Sequence, residues 1–179
     1  MEPLRNNYFY SSKHPIMKNN ITIRSIQPKD NPFIAKIIRT ALEEYDEAKP
    51  GTVYTDPTTD ELYQTFSAAP KSGYFIAELE EKIIGGCGIY PTKNLPDGYA
   101  ELVKIYLQSE YRGKGIGKQL MDKSIAYAKE QGYTHLYLES FPSLKEAIVL
   151  YEKIGFERVA EPLGDSGHFA CDVWMVLAI

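Results

Sequence analysis

The pattern of apolar and polar residues in the first half of the chain predicts two helices and three strands. Alternating apolar residues predict a half-buried strand over Ile21–Ile26, and apolar residues at helical spacing predict an amphipathic helix from Pro32 to about Glu44. A second, short helix is expected between Thr59 and Ala69. Two apolar runs, Tyr74–Leu79 and Lys82–Tyr90, lie close together and predict a hairpin.

The second half of the chain continues the pattern. A nine-residue apolar run predicts a strand over Tyr99–Leu107, and a long helix follows to about Glu130, with Gly132 as its C-terminal cap. The remaining predicted elements are a strand over His135–Glu139, a helix over Leu144–Ile154, a strand over Phe156–Ala160 and a last strand over Phe169–Ala178. In the second hairpin strand, Gly85, Gly86 and Gly88 indicate a bulge or close packing.

Length and charge limit the classes of protein to which the chain can belong. With 179 residues the chain is expected to form one domain over residues 21–179, preceded by a polar N-terminal arm of residues 1–20. It has 20 basic and 24 acidic residues and a net charge of −4, which disfavours nucleic-acid binding. Neither a signal peptide nor an apolar run of membrane-spanning length is present, so we expect a cytoplasmic protein that does not bind membranes.

Cysteines and histidines give no indication of a metal or disulfide site. Cys87 and Cys171 each lie in an apolar, strand-like run and are expected to be buried free thiols. His14, His135 and His168 do not form a metal-ligand spacing with them, so we expect no metal. The sequence does not fix the oligomeric state, and a homodimer is compatible with it.

A glycine-rich loop, Tyr111–Lys118, joins the Tyr99–Leu107 strand to the long helix. Glycine allows close approach of the backbone, and the N-terminus of a helix carries partial positive charge, so this arrangement favours an anion such as a phosphate. The loop is not a P-loop, because Gln119 follows Gly117-Lys118 where Ser or Thr is needed. It does not match the dinucleotide fingerprint G-x-G-x-x-G either.

The loop does contain R-x-x-G-x-G, from Arg112 to Gly117. With Ala100–Leu107 before it and Leu150–Phe156 after it, the chain resembles the GCN5-related N-acetyltransferase (GNAT) superfamily. The resemblance implies an α/β (α+β) fold with a mixed, mostly antiparallel sheet of about seven strands flanked by four helices. It also implies an N-acetyltransferase that uses acetyl-CoA as cosubstrate.

Within the resemblance, the loop corresponds to the pyrophosphate cradle and the end of the preceding strand to the segment whose backbone pairs with the pantetheine arm. A main-chain amide near Leu107 would donate to the thioester carbonyl. The residues that the resemblance assigns to acetyl-CoA are Ile105, Tyr106, Leu107, Arg112, Gly113, Lys114, Gly115, Ile116, Gly117 and Lys118. Leu144 departs from the family pattern, because relatives often have an asparagine there that binds the cofactor arm.

Two residues are candidates for catalysis. By period two, Glu101 is expected on the face of Val103 and Ile105, where a carboxylate is costly unless it is paired or used. Its spacing to Arg112 matches the general-base glutamate of histone-acetylating relatives. The alternatives are an ion pair with Lys104 or another base, or an anchor for the substrate amine, and Glu139 is the second candidate for the base.

Tyr151 matches the family tyrosine that protonates the departing coenzyme A thiolate, and its alternative role is that of a core residue of an amphipathic helix.

The acceptor is not fixed by the sequence. It is a small amine, an antibiotic-like amine, or a protein N-terminus or lysine. The acidic run Glu43–Glu47 either guides a cationic amine or forms a solvated helix end. A function of another class also remains open, namely a catalytically silent coenzyme A-binding sensor or partner-binding module.

Overall fold

The computed structural model describes residues 21–179, so the arm predicted over residues 1–20 lies outside the described residues. Within residues 21–179 the chain forms seven strands and four α-helices. They are β1 (Ile21–Ser25), α1 (Asn31–Glu44), α2 (Leu62–Ala68), β2 (Gly73–Leu79), β3 (Lys82–Tyr90), β4 (Tyr99–Leu107), α3 (Ile116–Glu130), β5 (His135–Ser140), α4 (Lys145–Ile154), β6 (Glu157–Val159) and β7 (Val173–Ala178).

The predicted order of elements is confirmed, and two boundaries are corrected. The last strand begins at Val173 rather than Phe169, because the preceding residues form a turn in which the Phe169 side chain is 83% exposed. The short helix predicted between Thr59 and Ala69 is divided into a 3₁₀ helix, Pro57–Asp60, and α2.

All seven strands belong to one sheet in the order β1-β2-β3-β4-β5-β7-β6. Every neighbouring pair is antiparallel except β4 and β5, which are parallel. The predicted mixed, mostly antiparallel sheet flanked by four helices is therefore confirmed. The parallel pairing covers only Tyr99–Glu101 of β4, and beyond Glu101 the two strands are no longer paired.

The sheet is covered on both faces. On one face α3 and α4 contribute Ile116, Leu120, Met121, Ile148 and Tyr151 to a core that we call the α3-side core. On the other face α1 and α2 contribute Ile34, Ile38, Leu42, Leu62 and Phe66 to the α1-side core. These buried residues recur at helical spacing, which is why the periodicity predicted the helices.

A bulge in β4 interrupts its alternation. Gly86 lies opposite Tyr106 and Gly88 lies opposite Val103, so that strand β4 has one residue more than β3 between these pairs. Lys104, within the bulge, has a φ of 52°. Val103 consequently packs against the α1-side core, whereas Ile105 packs against the α3-side core. The prediction that Ile105 shares a face with Val103 is therefore wrong.

Close packing requires the glycines of β3. A Cβ atom on Gly86 or on Gly88 would lie 2.6 Å from the ring of Tyr74. A Cβ on Gly85 would collide with Leu107. The close packing predicted from these glycines is confirmed, and the predicted bulge in this strand is at Ile84, which lies between the pairs Ala77–Gly85 and Glu78–Ile83 without a partner in β2.

Candidate active site

A cavity of about 480 Å³ opens where β4 and β5 separate. Its walls also include the end of α1, the start of α3 and one side of α4. The predicted site residues that line it are Glu101, Ile105, Tyr106, Leu107, Arg112, Gly113, Gly115, Gly117, Lys118 and Tyr151. Residues from three separate motifs of the sequence therefore meet in one cavity.

The side chains of Lys114 and Ile116 do not line this cavity. Ile116 is buried in the α3-side core, so only its main chain is available to a ligand at the loop. Lys114 is exposed, and its ammonium group lies 5.5 Å from the centre of the Tyr111 ring.

The glycine loop has the backbone geometry of an anion-binding turn. Gly113 and Gly115 have φ angles of 70° and 79°, and Gly115 is the N-terminal cap of α3. Both glycines adjoin open space, because a Cβ atom on either one would have no neighbour within 4 Å. The amides at the start of α3 have no acceptor within the helix and lie at the positive end of its dipole. The loop is therefore suited to bind an anion.

Close packing, rather than open space for a ligand, explains the glycine at position 117. A Cβ atom there would lie 3.3 Å from Leu150 of α4, so the start of α3 packs closely against that helix.

The side chain of Arg112 is engaged by neighbouring groups. Its Nε donates to the carbonyl of Leu107 at 3.0 Å, and its Nη2 lies 2.6 Å from Oε2 of Glu44. The guanidinium carbon is 5.2 Å from the centre of the Tyr45 ring. Sequence reasoning missed the contacts with Glu44 and Tyr45, because the end of α1 is distant from the loop along the chain.

The free edge of β4 faces the cavity. The amide of Gln108 donates to the carbonyl of Ile84 in β3 at 2.9 Å. Because successive residues of a strand direct their backbone groups to opposite sides, the amide of Leu107 is directed away from β3. An extended ligand in the gap could pair with this edge as an added strand would.

Glu101 is a buried carboxylate at the point where the strands separate, with a side chain only 4% exposed. Its Oε2 accepts a hydrogen bond from the hydroxyl of Thr92. Burial raises the pKa of Glu101 to about 7, and the nearby charge of Glu139 acts in the same direction. Its carboxyl group can therefore gain and lose a proton near neutral pH.

The alternative in which Glu101 pairs with Lys104 is wrong. The ammonium group of Lys104 lies 2.9 Å from Oδ2 of Asp56, and the same oxygen is 3.3 Å from Nε2 of His168. Burial alone would raise the pKa of Asp56, but the hydrogen bonds of His168 and Lys104 and the charge of Lys104 hold it well below its usual range. Sequence reasoning missed this cluster, because its three members come from three distant segments.

Glu139 also faces the cavity, from β5. Its two carboxylate oxygens accept hydrogen bonds from the hydroxyls of Tyr137 and Ser166, each at 2.8 Å. These two donors fix the orientation of the Glu139 carboxylate.

Tyr151 projects from α4 between the α3-side core and the cavity. Its ring lies 6.0 Å from that of Phe156, and its side chain is buried. Burial raises the pKa of the Tyr151 phenol well above its ordinary value, so that the group keeps its proton throughout the physiological range.

The acidic run at the end of α1 is not simply a solvated helix end. Glu47 is buried and accepts a hydrogen bond from Ser143 at 2.7 Å, and Glu44 pairs with Arg112. Glu43 accepts a hydrogen bond from the Tyr54 hydroxyl at 2.8 Å. Most of the carboxylates in the run are therefore already engaged within the protein.

The two cysteines differ in environment. Cys87 is a buried free thiol, as predicted, whereas Cys171 is half-buried and lies outside β7 against the cavity. Among residues 21–179, no three His, Cys, Asp or Glu side chains are grouped so as to hold a metal ion. No helix within the same residues is long and apolar enough to cross a membrane.

Comparison with known proteins identifies the same family from several directions. The model of the Acetyltransferase (GNAT) family matches residues 38–156. The Escherichia coli protein named "Uncharacterized N-acetyltransferase YjgM" is 41% identical over 155 residues, which are 86% of this chain and 92% of that protein.

Solved structures share the fold at lower sequence identity. A GNAT-family acetyltransferase of Staphylococcus aureus has a TM-score of 0.75 at 20% identity, over 88% of this chain and 98% of that one. A putative acetyltransferase of Salmonella typhimurium, solved with acetyl-CoA, has a TM-score of 0.69 at 21% identity, over 89% of this chain and 94% of that one.

Proposed function

Since the chain belongs to the GNAT acetyltransferase family and is an N-acetyltransferase, we propose that it transfers the acetyl group of acetyl-CoA directly to a primary amine. Both substrates are bound together in a ternary complex. One observation carries this proposal. A single cavity joins the glycine loop, the free edge of β4, the buried Glu101 and the phenol of Tyr151.

The loop and the strand edge hold the cosubstrate. The main-chain amides of residues 113–118, together with the charge of Lys118, bind the pyrophosphate, and the backbone of Ile105–Leu107 pairs with the pantetheine arm. The open space beside Gly113 and Gly115 supports this assignment. Leu144 offers only an apolar contact where relatives often bind the arm through an asparagine. Acetyl-CoA supplies an acetyl group activated as a thioester.

Glu101 removes the proton that the amine must lose before it attacks. A general base works best when its pKa lies near the working pH, and the pKa of Glu101 is raised to about 7. Thr92 holds one oxygen of the carboxylate, which leaves the other for the amine or for a bridging water.

Tyr151 delivers a proton to the departing sulfur. Its phenol remains protonated at neutral pH, because burial raises its pKa, and it lines the same cavity as Leu107. The same apolar surroundings raise the basicity of the thiolate, which takes the phenolic proton as the carbon–sulfur bond breaks, and the phenoxide regains a proton from solvent when the products leave.

The end of the cavity around Glu101 suits a small, cationic amine. The loop before α2 and the loop before β7 both border the cavity, the first through Val53 and the second through His168 and Cys171. The two loops are joined, since His168 contacts Asp56 and the amide of Ala170 donates to the carbonyl of Gly51 at 3.2 Å. A cavity bordered by two joined loops favours a small molecule over a segment of a folded protein. Glu101 and Glu139 line this end of the cavity, whereas the ammonium group of Lys104, which also lines it, is already paired with Asp56. The surplus of negative charge attracts a positively charged amine.

The proposal is tested by thiol release from acetyl-CoA. The panel contains an aromatic monoamine, a polyamine, an aminoglycoside and a lysine-containing peptide, and both substrates are varied. We expect release with a small amine and initial-velocity lines that intersect, as a ternary complex requires. Parallel lines would indicate a covalent acetyl-enzyme instead. Tight binding of coenzyme A without release for any amine would favour the silent sensor.

A location in the reducing cytoplasm is part of the proposal. It is supported by the two cysteines, neither of which forms a disulfide. Cell fractionation followed by immunodetection tests it.

A further inference from the structure

Arg112 is held by two elements outside the glycine loop. Its Nε donates to Leu107 at the end of β4, and its Nη2 pairs with Glu44, the last residue of α1. The guanidinium carbon also lies over the ring of Tyr45, the residue that caps the C-terminus of that helix. To turn toward a phosphate, the side chain would have to give up these contacts together.

The geometry of these contacts requires an arginine. The planar guanidinium donates from one nitrogen to a carbonyl and from another to a carboxylate, while its carbon lies over an aromatic ring. The ammonium group of a lysine is a single point charge and cannot occupy all of these positions. The side chains of Arg112 and Glu44 are 28% and 34% exposed, so solvent screens their attraction only in part.

The partners of Arg112 also belong to the cavity. Tyr45 and Ala41 line it from the α1 side, and Leu107 lines it from β4. Arg112 therefore connects the start of the cosubstrate loop with the wall that α1 contributes.

We propose that Arg112 is a positioning residue, which forms with Glu44 a strut that holds Tyr45 and the end of α1 against the acceptor. The pyrophosphate is bound by the loop amides and the N-terminus of α3, rather than by the Arg112 guanidinium. The strut joins the two substrate sites, so that an ordered loop favours an ordered acceptor wall, and the coupling acts equally in both directions. This inference rests on the proposed function.

Lys118 provides a matched control. It lines the same cavity beside the same loop and carries the same charge as Arg112. Its ammonium group, however, is exposed and pairs with Asp122, one turn further along α3, at 2.7 Å. A loss of charge at Lys118 therefore leaves the strut to α1 intact.

The test measures whether each variant changes the KM of the acceptor or the KM of acetyl-CoA. The KM of the acceptor is measured at saturating acetyl-CoA for the wild type, Arg112→Met, Arg112→Lys, Glu44→Ala and the double variant of Glu44→Ala with Arg112→Met. We expect each single variant to raise this KM by roughly three- to tenfold, as the loss of a partly buried, charge-assisted contact implies. The acceptor KM of the double variant should be no higher than that of the single variant with the larger increase, because both changes remove the same strut.

Lys118→Met should raise the KM of acetyl-CoA and leave that of the acceptor unchanged. If Glu44→Ala does not fold, Glu44→Gln replaces it. The glutamine side chain would retain a hydrogen-bond acceptor without the charge, so a smaller increase in the acceptor KM is expected.

Two results would overturn the inference. If the Arg112 variants change only the KM of acetyl-CoA and Arg112→Lys restores it, Arg112 is a phosphate ligand. If Glu44→Ala tightens acetyl-CoA binding and leaves the acceptor KM unchanged, Glu44 only competes with the phosphate for Arg112. Failure of the wild type to release thiol with any amine would instead refute the proposed function itself.

Discussion

Replacing Glu101 by glutamine tests the central residue of the site through stability as well as activity. The pKa of Glu101 is raised from 4.5 to about 7 by burial, with a smaller contribution from Glu139. The folded protein therefore binds the proton more tightly than the unfolded chain does. As pH rises through this interval, the unfolded chain loses its proton first, and the free energy of unfolding of the wild type falls.

The size of this effect follows from the shift. One pKa unit corresponds to about 1.4 kcal/mol, so ionisation of Glu101 removes about 2 to 3 kcal/mol of stability between pH 5 and pH 8. Glu101→Gln removes the titrating group and keeps the shape of the side chain. The stability of the variant relative to the wild type should therefore increase by about that amount over the same interval.

The catalytic activity of Glu101→Gln should fall, although its stability relative to the wild type increases with pH. Without a base, the variant depends on the small fraction of amine that is already neutral. Its kcat/KM near neutral pH should fall by roughly 10²-fold or more and recover as the pH approaches the pKa of the amine. The acidic limb of the wild-type profile, with an apparent pKa near that of Glu101, should disappear.

Urea unfolding at pH 5 and pH 8 and pH profiles of kcat/KM measure the two effects. Glu139→Gln is the control, because loss of its charge should lower the pKa of the acidic limb without abolishing the limb. If the profiles of Glu101→Gln and the wild type are parallel and within about twofold of each other, Glu101 is structural. If the difference in stability between Glu101→Gln and the wild type does not vary with pH, the pKa of Glu101 is not raised.

Three further variants test other parts of the site. Tyr151→Phe should lower kcat at every pH, by roughly tenfold or more, because the sulfur leaves without its proton donor; an unchanged kcat in steady-state assays would remove Tyr151 from the mechanism. Gly115→Asp places a strained residue with a negative charge at a φ of 79°, and calorimetry should show coenzyme A affinity reduced at least tenfold, or about 1.4 kcal/mol. Thr92→Val removes a hydrogen bond that lowers the pKa of Glu101, so the acidic limb should move to higher pH, and Thr92→Ser should restore it.

The local features of the fold were predictable because they depend on short stretches of sequence. The strand Tyr99–Leu107 is reproduced without change, and the helix predicted after the loop begins at Ile116 and ends at Glu130. Apolar periodicity fixes such elements, and glycines at positive φ fix the loop between them.

The errors have identifiable physical causes. The predicted face of Ile105 was wrong, because an extra residue in β4 reverses the alternation, and the glycines that signalled an irregularity lie on the neighbouring strand. The apolar character of Phe169 predicts a strand residue, yet Phe169 lies in an exposed turn. The cluster of Asp56, Lys104 and His168 depends on contacts between distant segments, which a linear pattern does not encode.

The short parallel pairing of β4 with β5 has a mechanical consequence. It divides the sheet into two antiparallel halves, β1–β4 and β5–β7, that are joined over only three residue pairs. At this seam, the three-pair junction of β4 with β5, the sheet should separate first when it is pulled apart. The amides of β4 beyond Glu101 that are directed into the gap should exchange their hydrogens rapidly in the free protein. A ligand that pairs with both strands in the gap would close the seam and slow that exchange. Substrate binding would then determine how far the two halves of the sheet behave as a single rigid body.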